Sequence, residues 1–381
     1  MESSLQNQRI QWLDTAKCIG IFLVILGHLE VKTYGFFSPK EWVYSFHMPL
    51  FFWLSGLTHK PCTFKDNLKK SLRQLAVPYV FFYLVTWAWW FVVSCLRHPE
   101  IYPDRFYDGI VKPLLGMFIA NGYNTSLSTM ANVPLWFLAG LFWCKLLFTL
   151  IDSLSAKHKK LVQVVLCAVL LTAAFVLKFY KIPELQTKVF GNIKVSTAVR
   201  FIPFSLGTLT LSYVFFFAGT LIKKWIFTNS VELPKKNLVS VMILCLVFGL
   251  ISSIYNSRTD INSIKFGKDL LLFTTSAFAG IAFICALSVL ISPVPAFFAF
   301  MGRNSITILA FHGIATGLFV AVLKYGLHFE SINTDTNPLD LLAAIGVSIV
   351  AFCLCAVPAY ILEKWFPVLL GRKKSNLHSK T

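Results

Sequence analysis

Residues 13–31, "LDTAKCIGIFLVILGHLEV", form a nearly unbroken apolar run with Asp14 and Lys17 near one end and His28 near the other. Such a run is typical of a membrane-spanning helix, because hydrocarbon contains no water to satisfy backbone N–H and C=O groups. An ionisable imidazole inside the run is energetically costly and is usually functional. This one stretch therefore predicts a membrane fold and a candidate site together.

Apolar residues also dominate the rest of the 381-residue chain, since 56% of its residues are hydrophobic, 14% are charged and the mean hydropathy is +0.67. This composition is typical of a polytopic membrane protein and excludes an ordinary soluble domain. We predict an all-α membrane helix bundle that forms one domain over residues 1–381, with residues 1–12 and 368–381 as cytoplasmic tails. Its roughly ten transmembrane helices are expected near 15–32, 43–59, 75–96, 133–151, 161–177, 201–222, 238–255, 270–292, 297–323 and 339–361.

The net charge of +18 comes mainly from Lys and Arg residues that flank these apolar stretches. They are more frequent in the segments on the side of the N-terminus, so the positive-inside rule places both termini in the cytoplasm. Anchoring to anionic headgroups explains the charge, and we expect no nucleic-acid partner. The nine cysteines include no CxxC pair, so neither a metal site nor a disulfide scaffold is predicted. The first apolar run lacks a small-residue cleavage site, and we expect no cleavable signal peptide.

Lys17 and His28 are predicted to share one face of the first helix. Eleven residues at 100° each bring them within about 20° of three whole turns, and the rise of 1.5 Å per residue separates them by about 16 Å. Asp14 lies on the same stripe, three residues before Lys17. Two interpretations remain open, a histidine that only hydrogen-bonds a neighbouring helix and a histidine that acts in catalysis or binding.

The second span, "WVYSFHMPLFFWLSGL" at 42–57, contains another buried histidine. Tyr44, His47 and Ser55 follow helical spacing, and Pro49 is expected to remove one backbone hydrogen bond and to kink the helix. A distorted turn beside a histidine favours a ligand site. A kinked helix that only packs against its neighbours is the alternative.

A third histidine lies in the stretch "MGRNSITILAFHG" at 301–313. Arg303 precedes the apolar helix and His312 lies within it, while "ILEKWFP" at 361–367 brings Glu363 to a membrane boundary. Interfacial anchoring is the alternative explanation for Arg303 and Glu363.

Together these motifs resemble those of the integral-membrane acyltransferase family 3, especially its fucose 4-O-acetylase-like bacterial branch. The family pattern in the first helix is a basic residue, ten intervening residues and a histidine, which Lys17 and His28 match with lysine where arginine is more common. The order of the remaining motifs along the chain makes the match strong. They are "FFWLSG" at 51–56, "RQLAVPY" at 73–79, "PLWFLAGLF" at 134–142, "GRNSITILAFH" at 302–312 and the segment around Glu363.

The resemblance implies about ten membrane helices in the bacterial cytoplasmic (inner) membrane and transfer of acetyl groups from acetyl-CoA to sugar hydroxyls. No metal is expected, and the partners are a saccharide acceptor, membrane lipids and any extracytoplasmic domain supplied as a separate protein. His28 is implied as the catalytic base or acyl relay, with Asp14 and His47 as further catalytic candidates. The candidates for the donor phosphates are Lys17, Arg73 and Arg303. The candidates for substrate contacts are Tyr44, Ser55, Trp136, His312 and Glu363.

A proton-coupled transporter of a sugar or small anion is the competing hypothesis, because buried histidines and a proline-containing helix suit that function too. The chain shows no paired halves of the kind that many carriers have. The longest external segment, 97–132, contains the apolar stretch "IVKPLLGMFIANGY". We expect this stretch to lie on the membrane or to re-enter it, and we expect the segment to contribute to acceptor choice.

Overall fold

The computed structural model describes residues 10–97, 106–122, 128–154, 158–179, 203–229, 234–328 and 338–372. Within these ranges nearly all regular structure is helical, which confirms the all-α prediction, and the exception is a sheet of two very short strands. The helices are α1 Gln11–His28, α2 Pro39–Leu57, α3 Phe64–Ser71, α4 Val77–Arg97, α5 Lys112–Ile119, α6 Trp136–Leu154, α7 Lys159–Phe179, α8 Leu209–Asn229, α9 Lys235–Asn256, α10 Leu270–Ile291, α11 Ala296–Arg303, α12 Ser305–Ala321, α13 Leu341–Leu354 and α14 Ala356–Trp365. The strands are β1 Thr259–Asp260 and β2 Lys265–Phe266.

Eight helical stretches among the described residues are long and apolar enough to cross a membrane. They correspond to the third through tenth predicted spans. The first two predicted spans form helices α1 and α2, which are not among the eight. Both helices carry charged and polar side chains, which lower their average hydropathy. Helix α2 continues through Pro49, although proline supplies no N–H to the preceding turn.

Two predicted spans are each divided into two helices. The span predicted at 297–323 breaks at Asn304, whose side-chain Nδ2 donates to Phe300 O at 3.1 Å and so competes with the backbone ladder. The span predicted at 339–361 breaks at Cys355, three residues before Pro358, whose ring removes a backbone donor. The first break fixes Arg303 at the end of a short helix.

The chain divides into two compact units. The first comprises Met1–Thr58, Gly219–Thr259 and Gly267–Ala359, and the second comprises His59–Ala218, Asp260–Phe266 and Tyr360–Thr381. In the first unit α1 contacts α2, α10, α11, α12 and α13, so most of its side chains are buried. This surrounding protein lets a helix with polar residues lie in the middle of the unit.

Helices α1 and α2 run antiparallel and approach closely at two glycines. A Cβ atom on Gly20 would lie 3.1 Å from Phe51 Cζ, and a Cβ on Gly27 would lie 3.3 Å from Tyr44 Cε2. Residue numbers therefore rise along α1 as they fall along the facing side of α2. The first half of α2 lies beside the C-terminal end of α1, where His28 is.

Helix α11 meets the other end of α1 through Gly302. A Cβ on Gly302 would lie 2.0 Å from Asp14 O and 3.2 Å from Cys18 N, so a side chain has no room there. Nearby, the Thr15 hydroxyl lies 2.9 Å from the hydroxyl of Ser292, the residue that caps the C-terminal end of α10. Gly302 thus sets the distance between α11 and the first turns of α1.

We expect Gly302→Ala to lower the thermal unfolding midpoint of the detergent-solubilised protein by several degrees, because overpacking a tight contact costs about 1–3 kcal/mol. Gly346→Ala is the matched control, since a Cβ on Gly346 meets nothing within 4 Å. Thermal unfolding of both variants measures the effect. Equal midpoints for the two variants would mean that α11 can move away from α1 without cost.

In the second unit, α5 lies along α4 and is held by aromatic donors. Tyr79 Oη donates to Met117 O at 2.5 Å, Tyr83 Oη to Pro113 O at 2.6 Å and Trp87 Nε1 to Gly109 O at 2.9 Å. We call these three bonds the aromatic ladder; its donors and its acceptors both recur every four residues. The stretch predicted to lie on or re-enter the membrane thus contains a helix fastened to α4. Parts of the predicted external segment, 98–105 and 123–127, lie outside the described residues.

Candidate active site

Four aromatic side chains gather where α1 ends, and we call them the ring cluster: His28, Tyr44, His47 and His312. The His28 ring centroid lies 5.0 Å from that of His312 and 6.1 Å from that of Tyr44. Tyr44 and His47 are 4.9 Å apart, one turn from each other on α2. The structure therefore brings together all three histidines that the sequence singled out.

The two buried histidines of the ring cluster each have one nitrogen bound to their own helix. His47 Nδ1 lies 2.8 Å from Val43 O, and His312 Nδ1 lies 2.9 Å from Leu309 O. A carbonyl oxygen only accepts hydrogen bonds, so each Nδ1 carries the proton and donates it. In the neutral ring each Nε2 then keeps a lone pair and is a hydrogen-bond acceptor.

His28 differs from these two residues in its accessibility. His47 and His312 are 3% and 4% exposed, whereas His28, the last residue of α1, is exposed. Of the three histidines in the ring cluster, His28 is the one that a substrate can approach. The arrangement suits a reacting imidazole of His28 that lies beside the fixed rings of His47 and His312.

A charged pair that the sequence analysis missed lies beside the ring cluster. Lys40 forms an ion pair with Glu30, and its Nζ lies 5.9 Å from the Tyr44 ring centroid. The Lys40 side chain is only 16% exposed and is near enough to His28 for an electrostatic interaction. Helical spacing could have identified Lys40, because it precedes Tyr44 by four residues and therefore lies one turn away on the same face of α2.

The segment after His28 is tied to the chain before α13. Lys32 N donates to Leu339 O at 2.9 Å, Leu339 N donates to Glu30 O at 2.8 Å, and the side chains of Lys32 and Asp340 form an ion pair at 3.0 Å. These bonds hold Glu30, and with it Lys40, at the edge of the ring cluster. His28 is therefore followed by a fixed segment of backbone.

Asp14, Lys17 and Arg303 lie at the opposite end of α1. Gly302 contacts the backbone between Asp14 and Cys18, so Arg303 lies at the same level of the unit as Lys17. Lys17 and Arg303 are half-buried and Asp14 is buried. Along the continuous helix α1, Lys17 is about 16 Å and Asp14 about 21 Å from His28. Asp14 thus belongs to the cationic end and lies outside the ring cluster.

The other candidate residues lie elsewhere. Ser55 is in the last turn of α2, eleven residues beyond Tyr44. In the second unit Trp136 is the buried first residue of α6, and Glu363 pairs with Arg372 at 2.8 Å. This ion pair gives Glu363 a structural partner.

Arg73 also lies in the second unit, in a π-helical turn at Leu72–Ala76. Its Nε is buried and has no hydrogen-bond partner in the part of the chain that the structure describes. π-Helical turns often accompany functional sites. The rest of its guanidinium keeps donors for an anion.

No group of three or more His, Cys, Asp or Glu residues within the described ranges is arranged to hold a metal ion, and this includes the ring cluster. Imidazole titrates near neutral pH, so the three histidines are candidate acid–base groups.

A family model described as an acyltransferase domain matches residues 10–358. A search of curated proteins found no match. The matched range contains the ring cluster, the cationic end of α1 and Arg73, and it ends before Glu363.

Proposed function

We propose that this chain, which belongs to acyltransferase family 3 and is a multi-pass membrane acyltransferase, moves an acetyl group from acetyl-CoA to a saccharide hydroxyl. The saccharide is on the cell surface or is lipid-linked, and the membrane is the bacterial inner membrane with both termini in the cytoplasm. The observation that carries the proposal is the exposed His28 in contact with buried, backbone-anchored His312. Family membership gives no support to the transporter hypothesis.

His28 acts as the general base in this proposal. The sugar hydroxyl oxygen attacks the carbonyl carbon of the thioester while a ring nitrogen of His28 takes the hydroxyl proton. A C–O bond forms, the C–S bond breaks, and His28 returns the proton to the departing sulfur. The ammonium of Lys40, beside the ring cluster, opposes the negative charge that develops on the carbonyl oxygen.

The donor binds along α1. Its phosphates meet the cations of Lys17 and Arg303, because guanidinium groups bind phosphate bidentately and ammonium acts as a point charge. The pantetheine arm then extends along the helix to His28, a distance of about 16 Å. Support for this path comes from the continuity of α1 between Lys17 and His28.

The acceptor sugar approaches from the exposed side of His28. Tyr44 is half-buried beside His28 and offers a ring face and a hydroxyl of the kind that sugar sites use. Ser55 lies in the last turn of α2, away from the ring cluster. We therefore propose that it contacts the donor and not the acceptor.

The reaction is tested with labelled acetyl-CoA and membranes from the native host, where the acceptor should be present. We expect label in the glycan fraction from membranes with the wild-type protein and none from membranes that lack it. If neither membrane transfers label, the proposal fails, and proton-driven uptake of sugars becomes the measurement to make.

We expect direct transfer rather than an acetylated histidine. Intact-protein and peptide mass spectrometry after incubation with acetyl-CoA, without acceptor, should find His28 unmodified. A mass increase of one acetyl group at His28 would show instead that His28 relays the acyl group before the sugar receives it.

A further inference from the structure

We propose that His312 is a positioning residue that orients His28 for proton transfer. Its Nε2 accepts a hydrogen bond from one ring N–H of His28, which leaves the other nitrogen of His28 directed at the substrate hydroxyl. The inference rests on the proposed function and adds a specific role for a residue that sequence analysis had assigned only to substrate contact.

The neutral ring of His312 has its proton on Nδ1. Because Nδ1 donates to Leu309 O at 2.9 Å, the neutral ring has its lone pair on Nε2. The acceptor Leu309 is three residues earlier on the same helix, so the backbone of α12 itself fixes this tautomer. In this tautomer Nε2 of His312 accepts a hydrogen bond and cannot donate one.

The two ring centroids lie at the separation that an N–H···N hydrogen bond between His28 and His312 requires. Two imidazoles joined by an N–H···N bond of roughly 2.9 Å have ring centroids about 5 Å apart, since each nitrogen lies about 1.1 Å from its ring centre. The centroids of His28 and His312 are 5.0 Å apart, and the planes are inclined by 41°, which is not a stacked pair. Catalytic hydrogen bonds often tighten only in the complex with substrate, and the exposed His28 ring is able to turn into line.

His28 and His312 differ in their access to the substrate. His312 is buried and His28 is exposed, so the substrate meets His28 and His312 acts through it. When His28 takes the hydroxyl proton, both of its nitrogens carry hydrogen. The one that faces His312 then donates to the lone pair, and this hydrogen bond stabilises the imidazolium. Hydrogen bonds to charged groups are the strong ones.

The test compares two substitutions of His312 in the full-length protein. His312→Phe keeps the ring volume and removes the acceptor, and we expect kcat to fall about 10- to 100-fold while the KM for acetyl-CoA changes less than about twofold. His312→Gln carries an amide oxygen near the position of Nε2, and we expect it to restore most of kcat. Gly313→Ala is the control, since a Cβ there meets nothing within 4 Å.

Three results would overturn the inference: wild-type kcat in His312→Phe, a change confined to the KM of the acceptor, or failure of a folded His312→Gln to exceed His312→Phe. Thermal unfolding midpoints identify any variant that does not fold. His28→Ala is measured in parallel. Equal rates for wild type and His28→Ala would remove His28 from the proposed function, whereas loss of activity in His28→Ala with none in His312→Phe would reject only the role of His312.

Discussion

His28→Ala is expected to lower the rate of acetyl transfer about 10²- to 10⁴-fold, because a positioned general base contributes that much to proton transfer. His28 is the exposed histidine of the ring cluster, and the substitution removes the ring that we propose as the base. The measurement is the initial rate of label transfer at saturating acetyl-CoA and matched protein amount.

His158→Ala is the matched control for this prediction. His158 is an exposed histidine just before α7, in the second unit, and its substitution should leave the rate unchanged. An unchanged rate in His28→Ala would mean that another residue acts as the base. His47 would then be the next residue to substitute.

Lys17→Gln is expected to raise the KM for acetyl-CoA about tenfold or more with a smaller change in kcat, because a hydrogen bond to a charged group is worth about 1.5–3 kcal/mol. Glutamine is one atom shorter than lysine and replaces the ammonium with an uncharged amide, so the packing of the aliphatic part of the side chain is largely preserved. Arg303→Gln should act in the same direction, since Arg303 lies at the level of Lys17.

Acetyl-pantetheine, which carries no phosphate, is the control substrate for this prediction. If Lys17 binds phosphate, wild type and Lys17→Gln should have the same KM for acetyl-pantetheine. Lys65→Gln, at an exposed lysine of α3, is the control variant. A KM for acetyl-CoA that is unchanged in Lys17→Gln would remove Lys17 from the donor site.

The sequence predicted the parts of the site that depend on a single helix. Lys17 and His28 share α1, and Tyr44 and His47 share α2, because helical periodicity is readable wherever one helix runs unbroken. The helical character of the chain followed from hydropathy in the same way, since each spanning segment must satisfy its own backbone.

Contacts between helices were not predictable from the same patterns. His28 and His312 are far apart in sequence, and their contact depends on how α12 packs against α1. The break at Asn304 follows from a local hydrogen bond that competes with the helix, and the tight contact at Gly302 depends on a backbone approach that no periodicity reveals. Lys40 was not predicted because the candidate residues on α2 began with Tyr44, one helical turn after Lys40.

The aromatic ladder of the second unit determines which substitutions the segment 107–119 can accept. Its acceptors are the main-chain carbonyls of Gly109, Pro113 and Met117, and every amino acid carries such a carbonyl. The donors, by contrast, are side chains of α4. Substitutions in this segment therefore leave the three acceptors in place where a side chain has room. Gly109 and Gly116 are the exceptions, because a Cβ there would lie 2.3 Å from Phe91 Cε2 and 2.2 Å from Thr129 O, respectively. The constraint falls on α4, which must keep the donors Tyr79, Tyr83 and Trp87.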